Sequence, residues 1–453
     1  MNQYSLLEKE EELFCLHSSE EIFSWLNERK DKLEVKLERI SLEECSPWYY
    51  DENEGIIRNP KGTFFQIAGV RQRKISGEVV EQPIILQDEI GFLGIICCKI
   101  KGIWHYLMQA KIEPGNVNNV QVSPTIQATK SNFTQQHGGT KPAFLEYFLN
   151  MPTQNILVDQ IQSEQSSRFL GKRNRNVILM VDKQIEEPPT HRWMTLSQIK
   201  ELMRYDNLVN MDTRTVLSCI PYVLLGMDGD VPFKNKLYFH RTAGSLDRQT
   251  IVNIYNQVNN YKMFHRSKIE RIPLFGLKDW KMENGEFHNI NEYPFKLIFC
   301  NIAIEGREVA QWRQPLFAAT GIATFGLVCC DDNGILKFLV KIKPEIGCFD
   351  SVEIGPTIQR EAGCIEEVDC VSDLFWEKLN AKKKVLADVL LSEEGGRFYQ
   401  EQNRNVIIMI DKNELPELPA GYVWSDYGTL NILTQINNCL NIQLRNLLSV
   451  LEI

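Results

Sequence analysis

Hydrophobic and polar residues follow the same order in two successive stretches of the chain. Each stretch opens with apolar residues at helical spacing, over residues 20–32 and again over residues 248–262. Apolar or alternating runs of strand length follow, separated by turns that contain Gly. We predict these strands at residues 64–70, 90–100 and 103–111 in the first stretch, and at 297–304, 323–330 and 336–343 in the second. The sequence Asp332-Asn333-Gly334 predicts a tight hairpin turn.

Each stretch closes with one more strand and then helices. The strands contain the words Asn174-Arg175-Asn176-Val177-Ile178 and Asn403-Arg404-Asn405-Val406-Ile407. The closing helices are predicted near Arg214 and Arg445. An order of helix, mixed strands and helices predicts an α+β fold built of sandwiched layers.

The two stretches also share residues at one offset. Pro124-Thr125-Ile126-Gln127 recurs 232 residues later as Pro356-Thr357-Ile358-Gln359. Between residues 82 and 127 the offset holds without a gap, and 17 of the 46 positions are identical. This period is too long for a solenoid or propeller repeat, so the chain is interpreted as two fused copies of one domain. We therefore expect a separate core in each copy.

The copies are predicted to be two modules, residues 1–228 and residues 246–453. A linker at residues 229–245 joins them, because Gly, Pro and Ser there favour turns. The first copy alone has an insertion after Gln127, which includes His137-Gly138-Gly139. Sequence motifs that both copies share should serve the fold or ligand binding, so motifs that only one copy has are candidates for catalysis.

Composition favours an ordinary globular protein with a small anionic ligand. Hydrophobic residues make up 43% of the chain and charged residues 24%. The formal charge of -9 argues against broad nucleic-acid binding, although a local basic pocket fits it. No run approaches the roughly 20 apolar residues of a membrane span, and the acidic start is unlike a signal peptide. We expect a cytoplasmic protein that binds neither nucleic acid nor membranes.

The twelve cysteines do not predict a metal site or a disulfide framework. No C-x-x-C pair occurs, and the adjacent pairs Cys97-Cys98 and Cys329-Cys330 each end an apolar run. We interpret them as reduced residues that pack in the core.

The polar sequence motifs that recur in both copies leave two interpretations open. In a structural network, Arg175 and Arg404 would pair with Glu113 and Glu345, and Asn side chains would cap turns. In an anion site, Arg would bind phosphate oxygens in bidentate fashion, Lys would add a charge, and Asn or Gln would read a base or a sugar hydroxyl. The basic pair Lys172-Arg173 in the first copy favours a phosphate-facing site there.

Three residues of the first copy are candidates for acid–base chemistry or for simpler roles. Lys111 and Glu113 stand two apart on a predicted strand, so their side chains share a face. They would act together on one ligand or form a simple surface pair. His137 titrates near neutrality and lies beside two glycines, so it is either an acid or base or a structural, solvent-facing residue.

In these sequence motifs the chain resembles the nucleotide-sugar 2,3-dehydratases of deoxysugar biosynthesis. In the first half the resemblance rests on residues 109–111, 113–116, 123–129, 131–133, 146–148, 163–165 and 172–176. In the second half it rests on residues 305–309, 312, 314–315 and 392–399. The resemblance spans nearly the whole chain and includes the duplication.

The resemblance implies a fold and an activity. Each half would be a Nudix-like α/β/α sandwich module, and subunits would pair as homodimers. The enzyme would remove the C2 hydroxyl of dTDP-4-keto-6-deoxy-D-glucose and leave a 3,4-diketo-2,6-dideoxy sugar on dTDP. The C4 ketone acidifies the C3 hydrogen, so acid and base groups suffice and neither a cofactor nor a metal is expected. The spaced acids of the Nudix metal box are missing, so magnesium-dependent pyrophosphate cleavage is not expected.

The resemblance also implies a working site in the first module and a vestigial nucleotide-sugar pocket in the second. The candidate catalytic residues are Lys111, Glu113, His137 and Tyr147. The candidate substrate-binding residues are Gln109, Asn116, Gln127, Thr129, Ser131, Asn132, Arg168, Lys172, Arg173, Asn174 and Arg175. The second pocket would contain Trp312, Lys343, Gln359, Arg397, Asn403 and Arg404.

Two other functions fit the same words. One is a different lyase or isomerase that acts on a keto-sugar nucleotide, and the other is a non-catalytic nucleotide-sugar-binding protein. Substitutions separate them, because Lys111→Ala or His137→Ala should abolish turnover in a dehydratase. Arg404→Ala, in the second half, should leave that turnover nearly intact.

Overall fold

The helices begin where polar side chains cap the backbone. The computed structural model describes residues 14–451 except 33, 61, 63, 130–141, 226–244, 266, 305–310 and 365–367. Ser18 and Glu21 form a capping box at the first helix, and Asn210 and Asn441 accept backbone N–H groups at two later ones. The helices are α1 (Ser19–Asp31), α2 (Leu145–Leu149), α3 (Leu196–Leu202), α4 (Met211–Ser218), α5 (Tyr222–Leu225), α6 (Arg248–Phe264), α7 (Cys370–Asn380), α8 (Tyr427–Leu433) and α9 (Ile442–Val450).

The strands of the first half form most of two sheets. Sheet 1 contains β2 (Tyr49–Asp51), β3 (Ile56–Arg58), β4 (Gln66–Arg73) and β5 (Val79–Leu86), together with β13 (Lys268–Ile272). Sheet 2 contains β6 (Gly91–Ile100), β7 (Ile103–Ile112), β8 (Val120–Ser123), β9 (Ile126–Ala128), β10 (Ile156–Ser163), β11 (Arg173–Met180) and β12 (His191–Thr195).

The second half repeats this arrangement. Sheet 3 contains β14 (Trp280–Glu283), β15 (Glu286–Asn289), β16 (Phe295–Ile304), β17 (Gln311–Ala319) and β23 (Phe398–Tyr399), together with β1 (Val35–Ile40). Sheet 4 contains β18 (Ala323–Asp331), β19 (Leu336–Lys343), β20 (Glu353–Gly355), β21 (Ile358–Arg360), β22 (Val385–Ser392), β24 (Gln402–Ile410) and β25 (Tyr422–Asp426). Sheets 2 and 4 have equivalent pairings, including one parallel pair each, β11 with β6 and β24 with β18.

The predicted α+β class and the predicted elements are confirmed. The helices and strands expected from periodicity are present, with bounds that differ by a few residues at each end. The predicted hairpin turn joins β18 to β19, and Asn333 and Gly334 have φ angles of 59° and 81°. Two successive positive φ angles are what a two-residue hairpin turn with the right-handed twist of the strands requires.

The two halves exchange their first strands. β1 of the first half pairs antiparallel with β16, from Val35 opposite Ile304 to Ile40 opposite Phe299. β13 of the second half pairs antiparallel with β4, from Lys268 opposite Arg73 to Ile272 opposite Gly69. Each half therefore completes a sheet of the other.

The expectation of a separate core in each copy holds only in part, because each copy has an apolar cluster of its own but the largest cluster is shared. The largest cluster of buried apolar side chains draws on both halves, for example Met108 and Val216 from the first and Leu327 and Leu444 from the second. Helices α4 and α9 pack against each other within it. Because apolar area is buried between the copies as well as within them, neither copy retains its full core alone.

Two buried arginines join the halves. Arg214 on α4 donates to the Ser392 carbonyl at 2.8 Å, and Arg445 on α9 donates to the Ser163 carbonyl at 2.6 Å. Each guanidinium is only 1% exposed. Burial of such a charge is unfavourable unless its N–H groups are bonded, so these arginines hold the opposite half in one position.

The two adjacent cysteine pairs have the packing role that their sequence context predicted. All twelve are free thiols, and Cys97, Cys98, Cys329 and Cys330 are buried. Among the helices that the structure describes, none is long and apolar enough to cross a membrane.

Candidate active site

A buried ion pair lies at the end of β7. The Lys111 ammonium is 2.8 Å from Glu113 Oε1, and the two side chains are 17% and 4% exposed. Gln127, on β9, donates from Nε2 to the same Glu113 oxygen at 3.1 Å. Asn210, the cap of α4, donates to Gln127 at 3.3 Å. Lys111 and Glu113 therefore do not form the simple surface pair that the sequence left open.

The second half has the same chain of polar side chains. Gln359 donates to Glu345 at 2.9 Å, and Asn441 donates to Gln359 at 2.9 Å. The positive charge of Lys343 acts on Glu345 as that of Lys111 acts on Glu113. We call Lys111, Glu113, Gln127 and Asn210 the first cluster, and Lys343, Glu345, Gln359 and Asn441 the second cluster.

Loops from the two halves interlock beside each cluster. The Gly115 N–H donates to the Gly395 carbonyl, and the Gln400 N–H donates to the Gly115 carbonyl, both at 2.8 Å. The Gly395 N–H also donates to Glu113 Oε2 at 3.1 Å. We call this contact of residues 113–116 with residues 395–400 the first clasp. The second clasp is its counterpart, in which residues 345–348 meet residues 166–171.

The clasps place two arginines in the half opposite to the one that the sequence suggested. Arg397, predicted for the second pocket, donates to Gln87 of the first half and to Glu394, both at 3.2 Å. Its charge acts on Glu394 together with the charges of Glu113 and Lys111, so it belongs with the first cluster. Arg168, predicted to bind substrate in the first half, is 2% exposed and lies among residues of the second half instead.

Arg168 is neutralised where it lies. It forms ion pairs with Glu361 at 3.0 Å and with Glu401 at 3.5 Å, and its guanidinium stacks on the Phe295 ring at 4.1 Å. Burial raises the pKa of Glu401 to about 7, although the Arg168 charge opposes this. Burial likewise raises the pKa of Glu345 to about 7. The second cluster is thus crowded with carboxyl groups around one arginine.

Three positions distinguish the chemistry of the two clusters. The first position lies two residues before the first Asn of the Asn-Arg-Asn motif. It is occupied by Lys172 beside the first cluster and by Glu401 beside the second. Two residues after the capping Asn, the first has Asp212 and the second has Gln443.

The third position lies three residues before the repeated Arg, where the first cluster has Glu394 and the second has Gln165 beside Glu401. The first cluster therefore has two acids where the second has amides.

The environment shifts the titration of the groups around the first cluster. Burial and the nearby Arg397 charge together lower the pKa of Lys172 to about 8. Burial raises the pKa of Asp212 well above its ordinary value, and the charges of Glu164 and Glu394 add to this effect. Groups whose pKa values are displaced by burial and by specific neighbours are typical of sites that transfer protons.

The repeated Asn-Arg-Asn motifs serve the fold in both halves. Arg175 and Arg404 do not pair with Glu113 and Glu345, as a structural network had been expected to require. They form bidentate pairs with the cross-strand Asp159 and Asp388, with shortest distances of 2.6 and 2.7 Å.

The asparagines of these words bind glutamates of the neighbouring strand or loop. Asn174 donates to Glu164 and Asn403 donates to Glu393. Because strand residues alternate, the arginines face outward while the asparagines are buried.

Other candidates lie at the contact between the halves or beside the first cluster. Arg173 stacks on the ring of Phe349 of the second half at 3.8 Å. Asn116 is buried in the first clasp, where its side chain donates to the Asn119 carbonyl at 3.3 Å. Gln109 stands two residues before Lys111 on β7 and accepts from the Ser123 hydroxyl at 3.4 Å.

The remaining candidates lie on other elements or outside the described residues. Tyr147 lies on α2 and packs near Phe144, with ring centroids 6.2 Å apart. Trp312 on β17 donates to Gln314 at 2.9 Å. Thr129 follows β9 directly. Ser131, Asn132, His137 and all but the last residue of the predicted linker lie outside the described residues.

A cavity of about 540 Å³ lies in the second half, next to the Glu361 that binds Arg168. Its lining is polar and of mixed charge, with Glu286, Lys296 and Arg360 among its residues. None of the residues predicted for the second pocket is among the described residues that line this cavity.

Sequence reasoning missed Asp212 and assigned Glu394 no role. Glu394 lies in a motif on which the family resemblance rests, and Asp212 lies two residues after a helix cap. A comparison of the two copies for positions where an acid faces an amide would have found both. Only the basic difference at Lys172 was noted from the sequence.

Comparison with known proteins agrees with the repeat and with the motifs. The sequence model of the NDP-hexose 2,3-dehydratase family matches residues 19–220 and again residues 252–451. A dTDP-4-dehydro-6-deoxy-alpha-D-glucopyranose 2,3-dehydratase of Saccharopolyspora spinosa is 35% identical over 441 residues, which cover 95% of this chain and 91% of the relative.

Two further relatives have the same name. The protein of Streptomyces violaceoruber is 35% identical over 94% of this chain and 95% of its own length. The protein of Amycolatopsis orientalis is 32% identical over 96% of this chain and 90% of its own length. With one family model matched in both halves and relatives similar over nearly their whole length, the chain belongs to the NDP-hexose 2,3-dehydratase family, as its motifs predicted.

Proposed function

We propose that this protein removes the C2 hydroxyl of dTDP-4-dehydro-6-deoxy-α-D-glucopyranose, and that the first cluster is the working site. The substrate is inferred from the names of the three relatives. The observation that carries the choice of cluster is the difference at Lys172, Asp212 and Glu394, whose counterparts in the second cluster are Glu401, Gln443 and Gln165. An elimination needs groups that exchange protons, and amides do not do so at neutral pH.

The chemistry assigns work to the ion pair of the first cluster. When a base removes the C3 hydrogen, negative charge develops on the C4 oxygen of the sugar. The Lys111 ammonium, held by Glu113 at 2.8 Å, is a preorganised donor for that oxygen. His137 remains the candidate base that the sequence suggests. Lys172 and Arg397 supply positive charge for the diphosphate.

The test follows the mass of the nucleotide sugar. Purified protein is mixed with dTDP-4-dehydro-6-deoxyglucose, without added metal, in the presence of a 3-ketoreductase and NADPH that trap the unstable product. Loss of one water followed by gain of two hydrogens is the expected result. An unchanged sugar mass with tight binding would instead support a binding protein, and release of dTMP would support a hydrolase.

Matched variants test the choice of cluster. Lys111→Ala should reduce turnover by at least 100-fold, because the developing enolate loses its donor. Lys343→Ala, the same change in the second cluster, should keep turnover within about threefold of the wild type. If Lys343→Ala abolishes turnover in a folded protein, the working site has been assigned to the wrong cluster.

We also infer two Nudix-like modules, with boundaries at residues 1–228 and 246–453, and a cytoplasmic homodimer. The inference rests on the family resemblance alone. Light scattering of the purified 52.5 kDa chain tests the dimer, because a monomeric mass would contradict it. Limited proteolysis tests the linker at residues 229–245, where the first cleavage is expected.

A further inference from the structure

The second half contributes a carboxyl group to the first cluster. Glu394 lies at the start of the loop that forms the first clasp, next to Gly395, whose N–H donates to Glu113 at 3.1 Å. Its charge interacts with those of Glu113, Lys111 and Arg397. The Glu394 side chain is 12% exposed and that of Lys111 is 17% exposed, so both can be reached by a ligand.

The two carboxyl groups differ in what surrounds them. Glu113 accepts at both oxygens, from Lys111 and Gln127 at Oε1 and from Gly395 at Oε2. Surroundings that only donate hydrogen bonds suit an ionised carboxylate, which can only accept them.

Glu394 accepts from the Gly396 N–H at 3.1 Å and from Arg397 at 3.2 Å, and both bonds are made to Oε1. Its Oε2 accepts no hydrogen bond from the described residues, so that oxygen is placed to carry a proton. Burial raises the pKa of Glu394 although the Arg397 charge opposes this, and the neighbouring Glu113 charge adds to the rise.

The second clasp provides the natural comparison. At the position equivalent to Glu394 the first half supplies Gln165, which is 1% exposed and lies beside Glu401. An amide fills a similar volume and accepts similar hydrogen bonds, but it has no proton to give at neutral pH. The clasp geometry therefore does not require a carboxyl group at this position.

We propose that Glu394 is the acid of the first-half site and protonates the departing C2 hydroxyl. The inference rests on the proposed function. A base removes the C3 hydrogen as a proton, and the C3–H electrons form an enolate on the C4 carbonyl. Those electrons then form the C2–C3 double bond while the C2–O bond breaks, and the oxygen leaves as water with the Glu394 proton.

The remaining steps restore the groups without any other reactant. The enol at C3 becomes a ketone as C2 gains a proton. The proton taken from C3 balances the one that Glu394 gave, so the net change is loss of one water.

The decisive variant is Glu394→Gln, which installs the second-clasp side chain. We expect the rate of water loss to fall at least 100-fold, within the 10²- to 10⁴-fold range of general acid catalysis. In deuterated water, exchange of the C3 hydrogen of recovered substrate should stay within about threefold of the wild type, because that step precedes use of the acid. Glu394→Asp, which keeps a proton, should restore at least tenfold over the Gln variant.

Glu393→Gln is the matched control. Glu393 is the adjacent residue but binds Asn403 of the second half, a contact that an amide oxygen also accepts. It should keep turnover within about threefold. The pH profile adds a readout that packing does not affect, because the loss of rate at high pH that comes from ionisation of the acid should disappear in Glu394→Gln.

Each result separates this inference from the proposed function. If the wild type removes no water, the proposed function fails. If the wild type is active and Glu394→Gln is equally active, the function stands and Glu394 is not the acid. If C3 exchange stops together with water loss in a folded Glu394→Gln protein, Glu394 acts before the leaving group departs, and its assignment as acid is wrong.

Discussion

A methyl group added at Gly115 tests the first clasp. The Cβ atom of Gly115→Ala would lie 1.7 Å from the Phe398 carbonyl oxygen and 2.7 Å from the Gly395 carbonyl oxygen. Both are backbone atoms, so no change of rotamer relieves the overlap. The two loops must therefore move apart.

The expected loss follows from the bonds that separation breaks. They are the two backbone hydrogen bonds of Gly115, each 2.8 Å, and the bond from the Gly395 N–H to Glu113 at 3.1 Å. At about 1 kcal/mol for each backbone bond and about 2 kcal/mol for the bond to the carboxylate, the free energy of unfolding falls by about 4 kcal/mol. A 453-residue protein that unfolds as one unit has an unfolding entropy of about 1 kcal/mol/K, so the midpoint should fall by about 4 °C.

Thermal unfolding followed by circular dichroism measures the shift, and two other glycines provide controls. Gly347→Ala places its Cβ atom 1.8 Å from the Phe169 carbonyl oxygen, so it should lose as much stability. It should nevertheless keep turnover while folded, because it lies in the second clasp.

Gly276→Ala meets nothing closer than a Pro273 carbon at 3.7 Å and should shift the midpoint by less than about 1 °C. A Gly115→Ala protein that melts within 1 °C of the wild type and turns over normally would refute the tight clasp.

Three further predictions address the surface, the acid response and the unity of the fold. Arg404→Gln removes an exposed pair with Asp388 and should lower the free energy of unfolding in urea by no more than about 1 kcal/mol; a larger loss would mean that the pair is not a surface pair. Burial lowers the pKa of His191 to about 4, so its neutral form stabilises the fold above pH 6.5 and that contribution is lost as the pH falls from 6.5 to 4. His191→Gln should remove about 3 kcal/mol of this acid sensitivity, measured as the difference between wild type and variant in urea unfolding at pH 7 and pH 4; an unchanged difference would contradict a buried neutral imidazole. Residues 1–228 expressed alone should lack a cooperative thermal transition, since they lose β13 and part of the shared core, and a sharp transition like that of the full chain would contradict the mutual dependence of the halves.

The sequence predicted the elements of the fold better than their partners. Hydrophobic period and capping residues act within a few positions of the chain, so the helices and strands were expected close to where they lie. The alternation in β1 shows that one face is buried but not which sheet buries it, because the backbone groups of sheets 1 and 3 are equivalent. The strand exchange, and with it the shared core, therefore could not be predicted from local pattern.

The same limit applied to the candidate site. Lys111 and Glu113 were expected on one face because a strand has a period of two residues, and they do form a pair. Arg168 and Arg397 were placed in the wrong halves because the loops that carry them cross over at the clasps. The partner of Arg175 depends on the register between β10 and β11, which no sequence motif specifies.

The exchanged strands give each half a structural role that does not depend on its chemistry. The arrangement resembles a strand-exchanged dimer of two related domains on one polypeptide, so the association of the domains does not depend on protein concentration. The second cluster has amides, Gln165 of the first half and Gln443 of the second, where the first cluster has acids, but the second half still completes sheet 1 of the first. Removal of either half would therefore leave a sheet of the other incomplete.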